Sequence, residues 1–176
     1  VLDKAFFQSY SVSYLKSLNG ESDLNLFRAS LFWYGFLFVL GVGLITLSDK
    51  VIALLTHDKL TASAEYLCVF YVSVFFRSNQ MPYNLRLFHK KKTEVFVALS
   101  ALSNLIGASV LTLGVLFFEL GIQFVVVCFV LNSVLKNIAI KGYLFCLYRE
   151  VDESEVVFWA ALASYLLVLN NLGGYA

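Results

Sequence analysis

At 176 residues the chain has the length of one soluble domain, but 60% of it is hydrophobic, 16% aromatic and only 14% charged. That balance exceeds what a water-facing globular surface tolerates and excludes an ordinary soluble domain. The net charge of +1 says nothing about partners, so the information lies in where the charges fall.

Residues Val1 to Phe27 are mixed. Phe6, Phe7, Tyr10, Tyr14 and Leu18 form an amphipathic stripe at helical spacing, which predicts an interfacial segment over residues 1–28 or the tail of a preceding helix. Between Arg28 and Asp49 no charge occurs, and a run of that length spans a hydrocarbon core about 30 Å thick. This predicts a first span near 29–48, with Trp33 and Tyr34 at headgroup level. Val51 to Leu60 reads as an interfacial turn.

The next apolar run, 62–88, is interrupted by Arg77 and the following Ser78-Asn79-Gln80-Met81-Pro82. It stops at His89-Lys90-Lys91-Lys92, a basic tetrad that reads as a tight cytoplasmic turn. Val95 to Phe118 is uncharged and predicts a third span, 95–118. Glu119 and Gly121 make a minimal connection to a fourth, 122–147, which carries Lys136 and Lys141 in its second half. A polar cluster from Arg149 to Glu155 precedes a short fifth run, 156–172. Every backbone polar group in lipid must be paired within its own helix, so residues 29–172 are expected to form an all-α, polytopic bundle of about five spans.

The chemistry-bearing residues are few. No Gly-rich phosphate loop, metal-ligand spacing or nucleophile motif is visible, so no enzyme activity, catalytic residue, metal or other cofactor is expected. Cys68, Cys128 and Cys146 lie in apolar runs and read as small packing residues. What remains are polar groups inside the spans. Arg77 is placed about 16 Å from the basic end of its span at 1.5 Å per residue. Arg77, Gln80 and Asn84 are spaced i, i+3, i+7 and share one face. That face predicts the lining of a wet cavity; the alternative is an Arg that snorkels or satisfies backbone near Pro82. Ser133, Lys136, Asn137 and Lys141 share a face on the fourth helix, and there both lysines could instead reach the headgroups. Ser100, Asn104, Gly107 and Ala108 make a small-polar face on the third helix, expected to serve close packing.

In its order of features the chain resembles the C-terminal half of polysaccharide or lipid-linked oligosaccharide flippases of the multidrug/oligosaccharidyl-lipid/polysaccharide exporter superfamily. The resemblance covers roughly Leu24 to Arg149. It rests on a span, a short Asp/Lys turn, and Ala62-Ser63-Ala64-Glu65-Tyr66 opening the next span. A Lys90-Lys91-Lys92-Thr93 turn follows, then Ser103-Asn104-Leu105 within a span that ends at Phe118, Gly121 and Ile122. Gln123 and Phe124 depart from it, standing where the family continues with a second glycine and small residues. The resemblance implies two related bundles, of which this chain would be one, a fragment of a larger transporter. It also implies a multi-pass location in the cytoplasmic (inner) membrane, in cell-envelope polysaccharide or lipopolysaccharide biosynthesis. The implied activity is flipping of a lipid-linked sugar by alternating access. The implied partners are that lipid-linked sugar, the bilayer and an N-terminal bundle, with no nucleic acid. Substrate-binding residues would then be Arg77, Gln80, Asn84, Lys136 and Lys141, with cations drawing the pyrophosphate of the carrier lipid. A cation-coupled drug exporter of the same superfamily and a non-transporting membrane scaffold are the alternatives.

Lys and Arg concentrate before the first span, after the second and after the fourth. The asymmetry places the basic turn in the cytoplasm. A reporter fused after Lys92 should therefore be cytoplasmic and one fused after Glu119 external; reversed signals would overturn the orientation.

Overall fold

The structure is a computed structural model that describes Ser11, Val12, Lys16 and residues 24–56, 64–118, 121–149 and 154–172. Five helices account for nearly all of it: α1 Leu24–Thr56, α2 Ala64–His89, α3 Thr93–Phe118, α4 Ile122–Tyr148 and α5 Ser154–Leu172. No strand occurs among the described residues, so the fold is an all-α bundle. All five residues of the amphipathic stripe before Leu24 lie outside the described residues.

One boundary differs from the sequence reading. The first helix does not stop at Ser48 but runs on through Asp49 and Lys50 to Thr56, so the start of the expected interfacial turn is helical. The second helix passes Pro82 without a break, although proline has no N–H for the carbonyl four residues back. The tight turn expected at the basic tetrad is present as a helix stop. Lys91 takes φ 56°, while Lys92 N–H donates to Leu87 O at 2.8 Å and Lys91 N–H to Phe88 O at 3.0 Å. These are the paired bonds by which a left-handed residue satisfies the last carbonyls of a helix. The same device ends α4, where Arg149 at φ 52° donates its N–H to Phe145 O.

Four helices are long and apolar enough to cross a membrane: α1 over Phe27–Lys50, α3, α4, and α5 over Ser154–Asn171. The expected second span is not among them. The packing gives the reason. α2 touches all four other helices, α1 pairs with α5, and α3 pairs with α4. Among the described residues, neither α1 nor α5 comes within 8 Å, Cα to Cα, of α3 or α4. α2 is thus the central post between two helix pairs. Its surroundings are protein, so it carries Ser73, Ser78, Asn79 and Gln80 buried, where a lipid-facing helix would carry Leu or Val. α3 shows the opposite pattern, with Leu105, Val110, Leu116, Phe117 and Phe118 all exposed.

The larger core joins α1, α2 and α5 through Tyr34, Leu37, Cys68, Phe75, Phe76, Phe158, Leu162 and Tyr165. The smaller joins α2 to α4 through Tyr83, Leu87, Ile140 and Leu144, with Phe96 and Leu99 of α3 against it. Two tyrosines fix the larger core by donating to carbonyls of neighbouring helices: Tyr71 to Leu37 O at 3.0 Å and Tyr165 to Cys68 O at 2.8 Å. All three cysteines are free; Cys68 and Cys128 are buried and Cys146 is exposed. The small-polar face of α3 meets α4, where Asn132 donates to Asn104 at 3.2 Å and also sits against Gly107. Gly114 lies directly under the Phe124 ring, so the bulk of Phe124 is taken up by a glycine across the helix pair.

Gly41 is the closest approach of three helices. A Cβ there would stand 2.5 Å from the Tyr165 ring and 2.8 Å from that of Tyr71, and both rings are tethered through their hydroxyls. Gly41→Val should therefore cost about 1–3 kcal/mol through overpacking, read as a lower melting temperature in detergent. Gly43→Val, with open space around it, is the matched control and should be near neutral, since valine is no worse a helix former than glycine.

Candidate functional site

The seam between α2 and α4 brings most of the expected polar residues together and sorts them into three groups. Along the seam itself, Asn137 Nδ2 donates to Phe76 O at 3.1 Å and Gln80 Nε2 donates to Ser133 O at 3.1 Å. Both side chains are buried. Each amide reaches across to a backbone carbonyl of the partner helix, which ties the two helices in register. Gln80 is thus engaged inside the protein rather than lining open space.

On one flank of the seam stand Arg77 and Lys136, near the midpoints of α2 and α4. They are close enough to repel one another. The Lys136 ammonium lies 5.4 Å from the centroid of the Phe96 ring on α3, a cation–π distance. Arg77 is exposed although its neighbours on both sides, Phe75, Phe76, Ser78 and Asn79, are buried. Neither cation has an acidic partner among the described residues. Asn84 lies two turns along α2 from Arg77, and its Oδ1 is buried with no hydrogen-bond partner; Ser100 Oγ, one turn from Phe96 on α3, is in the same condition. This flank therefore holds two like charges at mid-helix and two unsatisfied polar atoms nearer the basic turn. It can accept an anion or water.

On the other flank, Lys141 has a different fate from Lys136. Its ammonium pairs with Glu155 at 2.7 Å to Oε1 and 2.8 Å to Oε2, and Tyr83 donates its hydroxyl to the same Oε1 at 2.5 Å. The residues are i and i+5 on α4, about 140° apart around a helix of 3.6 residues per turn, so they emerge on opposite sides of the seam. The structure groups Arg77 with Lys136, and Lys141 with Tyr83 and Glu155.

Sequence reasoning missed Glu155, Tyr83 and a buried pair in the larger core, Tyr34 donating to Asn79 Oδ1 at 3.1 Å. In the sequence Glu155 belongs to the polar cluster after Arg149, yet it is the second residue of α5, and helix numbering puts it one turn from Phe158 on the buried stripe. Tyr83 gave no signal of its own, being one aromatic among many.

Four apolar helices of spanning length around a polar post define a multi-pass membrane protein. No protein-family model, curated protein or solved structure matches the chain.

The Arg77 flank and the seam predict different reactivity in native membranes. Cysteine at Arg77 should react readily with a water-soluble maleimide, whereas cysteine at Gln80, only 5% exposed, should label slowly. Equal silence at both positions would mean that the Arg77 flank faces lipid tails and is dry.

Proposed function

We propose that the chain is part of a membrane transporter that moves an anionic, lipid-anchored substrate, a lipid-linked oligosaccharide or polysaccharide precursor, across the cytoplasmic membrane by alternating access. The observation that supports this reading is the Arg77–Lys136 pair. A single cation exposed at mid-depth in a membrane bundle is costly unless water or an anion meets it. Two that repel each other are costlier still. A phosphate group carried into this flank would neutralise both, with the guanidinium presenting two parallel donors and the ammonium a point charge. The resemblance in feature order to polysaccharide flippases supplies the substrate class; the charges supply only its sign.

A non-transporting scaffold is the second reading, and the seam favours it, because Gln80 and Asn137 are satisfied inside the protein. A scaffold has no use for an exposed Arg77 beside a half-buried Lys136 with no acidic partner among the described residues, which is why transport is the stronger reading.

Arg77→Ala, in the intact protein, should lower transport about ten- to a hundredfold, the range for a charge-assisted hydrogen bond, with normal membrane level. Arg77→Lys should retain part of the activity. Transport and membrane abundance measured side by side decide it: full transport by Arg77→Ala at normal abundance would remove Arg77 from the mechanism. Loss of the protein from the membrane would give Arg77 a structural role instead.

A further inference from the structure

The two helix pairs meet α2 but not each other. α4 and α5 come no closer than 8 Å, Cα to Cα, among the described residues, yet an ion pair crosses between them. We propose that Tyr83, Lys141 and Glu155 form a latch that closes the cleft between α4 and α5 at the end of the bundle carrying the basic turn. The proposal goes beyond the transport reading and stands on helix packing alone, independent of any substrate.

Each member comes from a different helix. Glu155 lies in the first turn of α5, Lys141 two turns before the end of α4, and Tyr83 two turns before the end of α2. One carboxylate receives both Lys141 and Tyr83, so all three helices are tied through a single group. The side chains of Lys141 and Glu155 are only 20% and 15% exposed. The lysine ammonium is ringed by Phe158 at 5.1 Å, Tyr83 at 5.2 Å and Trp159 at 5.8 Å from the ring centroids. Rings that exclude water raise the strength of an ion pair above that of an exposed one. They also form the plug beneath it: Phe76 of α2 meets Phe158 and Trp159 edge to face, at 5.5 and 6.3 Å.

The packing around the latch makes it a movable joint rather than a core contact. α5 packs chiefly on α1 and only lightly on α2, and its hydrogen bond to α2, from Tyr165 to Cys68 O, lies about three turns from Glu155, so the first turns of α5 can swing about that tether while α4 stays tied to α2 through Gln80 and Asn137. Lys141 and Glu155 are the side chains that span the gap. Their separation leaves each helix pair intact, which is the requirement for rigid-body opening.

Spin-label distance measurement tests this on the intact protein in bilayers. Native Cys146 on α4 is exposed, and Val156 on α5 is 74% exposed. Labels at Cys146 and Val156→Cys, with Cys68 and Cys128 changed to alanine, bracket the cleft without entering it. The parent should give one short-distance population. Glu155→Gln and Lys141→Met should each add a population longer by about 5 Å or more, the scale of helix rearrangements in switching proteins. The exchange Lys141→Glu with Glu155→Lys should restore the short one, and Tyr83→Phe, which removes only the hydroxyl, should give a smaller share of the long population. An unchanged distribution in Glu155→Gln overturns the latch. If the single variants fail to reach the membrane, Tyr83→Phe and the exchange decide. A longer population in Tyr83→Phe with recovery in the exchange supports the latch; a parent-like Tyr83→Phe, or an exchange as poorly inserted as the singles, overturns it.

Discussion

Everything in this bundle depends on where α2 can put its polar side chains. A helix bearing Ser73, Ser78, Asn79, Gln80 and Arg77 has no stable place in a hydrocarbon core unless other helices cover it, because an unpaired polar group there costs several kcal/mol, roughly the value of a whole packed side chain. The solution is a post surrounded by four apolar helices. Tyr34 meets Asn79, and Gln80 and Asn137 exchange hydrogen bonds with carbonyls across the α2–α4 seam. Lipid attraction does not drive such helices together, since lipid tails are as apolar as leucine; small residues and interhelical hydrogen bonds do. Gly41, Gly107 and Gly114 provide the close approaches, and the amides provide the register.

The same arrangement explains why the charges separate. The seam between α2 and α4 is dry and satisfied, so long cationic side chains from its two edges go to opposite flanks. On one flank Lys141 finds Glu155, a phenol and three rings. On the other, Arg77 and Lys136 find only each other and the face of Phe96. One flank is electrostatically closed and the other open to an anion. In the transport reading proposed above, the open flank would hold cargo and the closed one would hold the protein shut.

Much of this was legible in the chain itself. Apolar runs of spanning length predict α1, α3, α4 and α5, because hydrocarbon thickness sets helix length directly. The Lys90–Lys92 turn was visible as a stop, and α3's small residues as a packing face. The continuation of α1 through Asp49 and Lys50 was not legible, since a charged pair outside the hydrocarbon region is compatible with either a helix or a turn. Nor was the membrane standing of α2: hydropathy averages over a helix and cannot distinguish polar groups that face lipid from those that face protein.

For this protein, then, sequence alone determined the helical class, the approximate helix limits and the presence of cations midway along apolar helices, because each follows from local composition and the thickness of a bilayer. Tertiary structure decided which cation has a counter-charge. Lys136 and Lys141 are indistinguishable by type and lie on one apolar helix, and both read equally as substrate ligands or as snorkelling lysines. Five residues of helical rotation separate them by about 140°, and only the placement of α5 brings Glu155 to one and leaves the other unpaired. Charge pairing between helices distant in the chain is a property of how they pack, and no local pattern carries it.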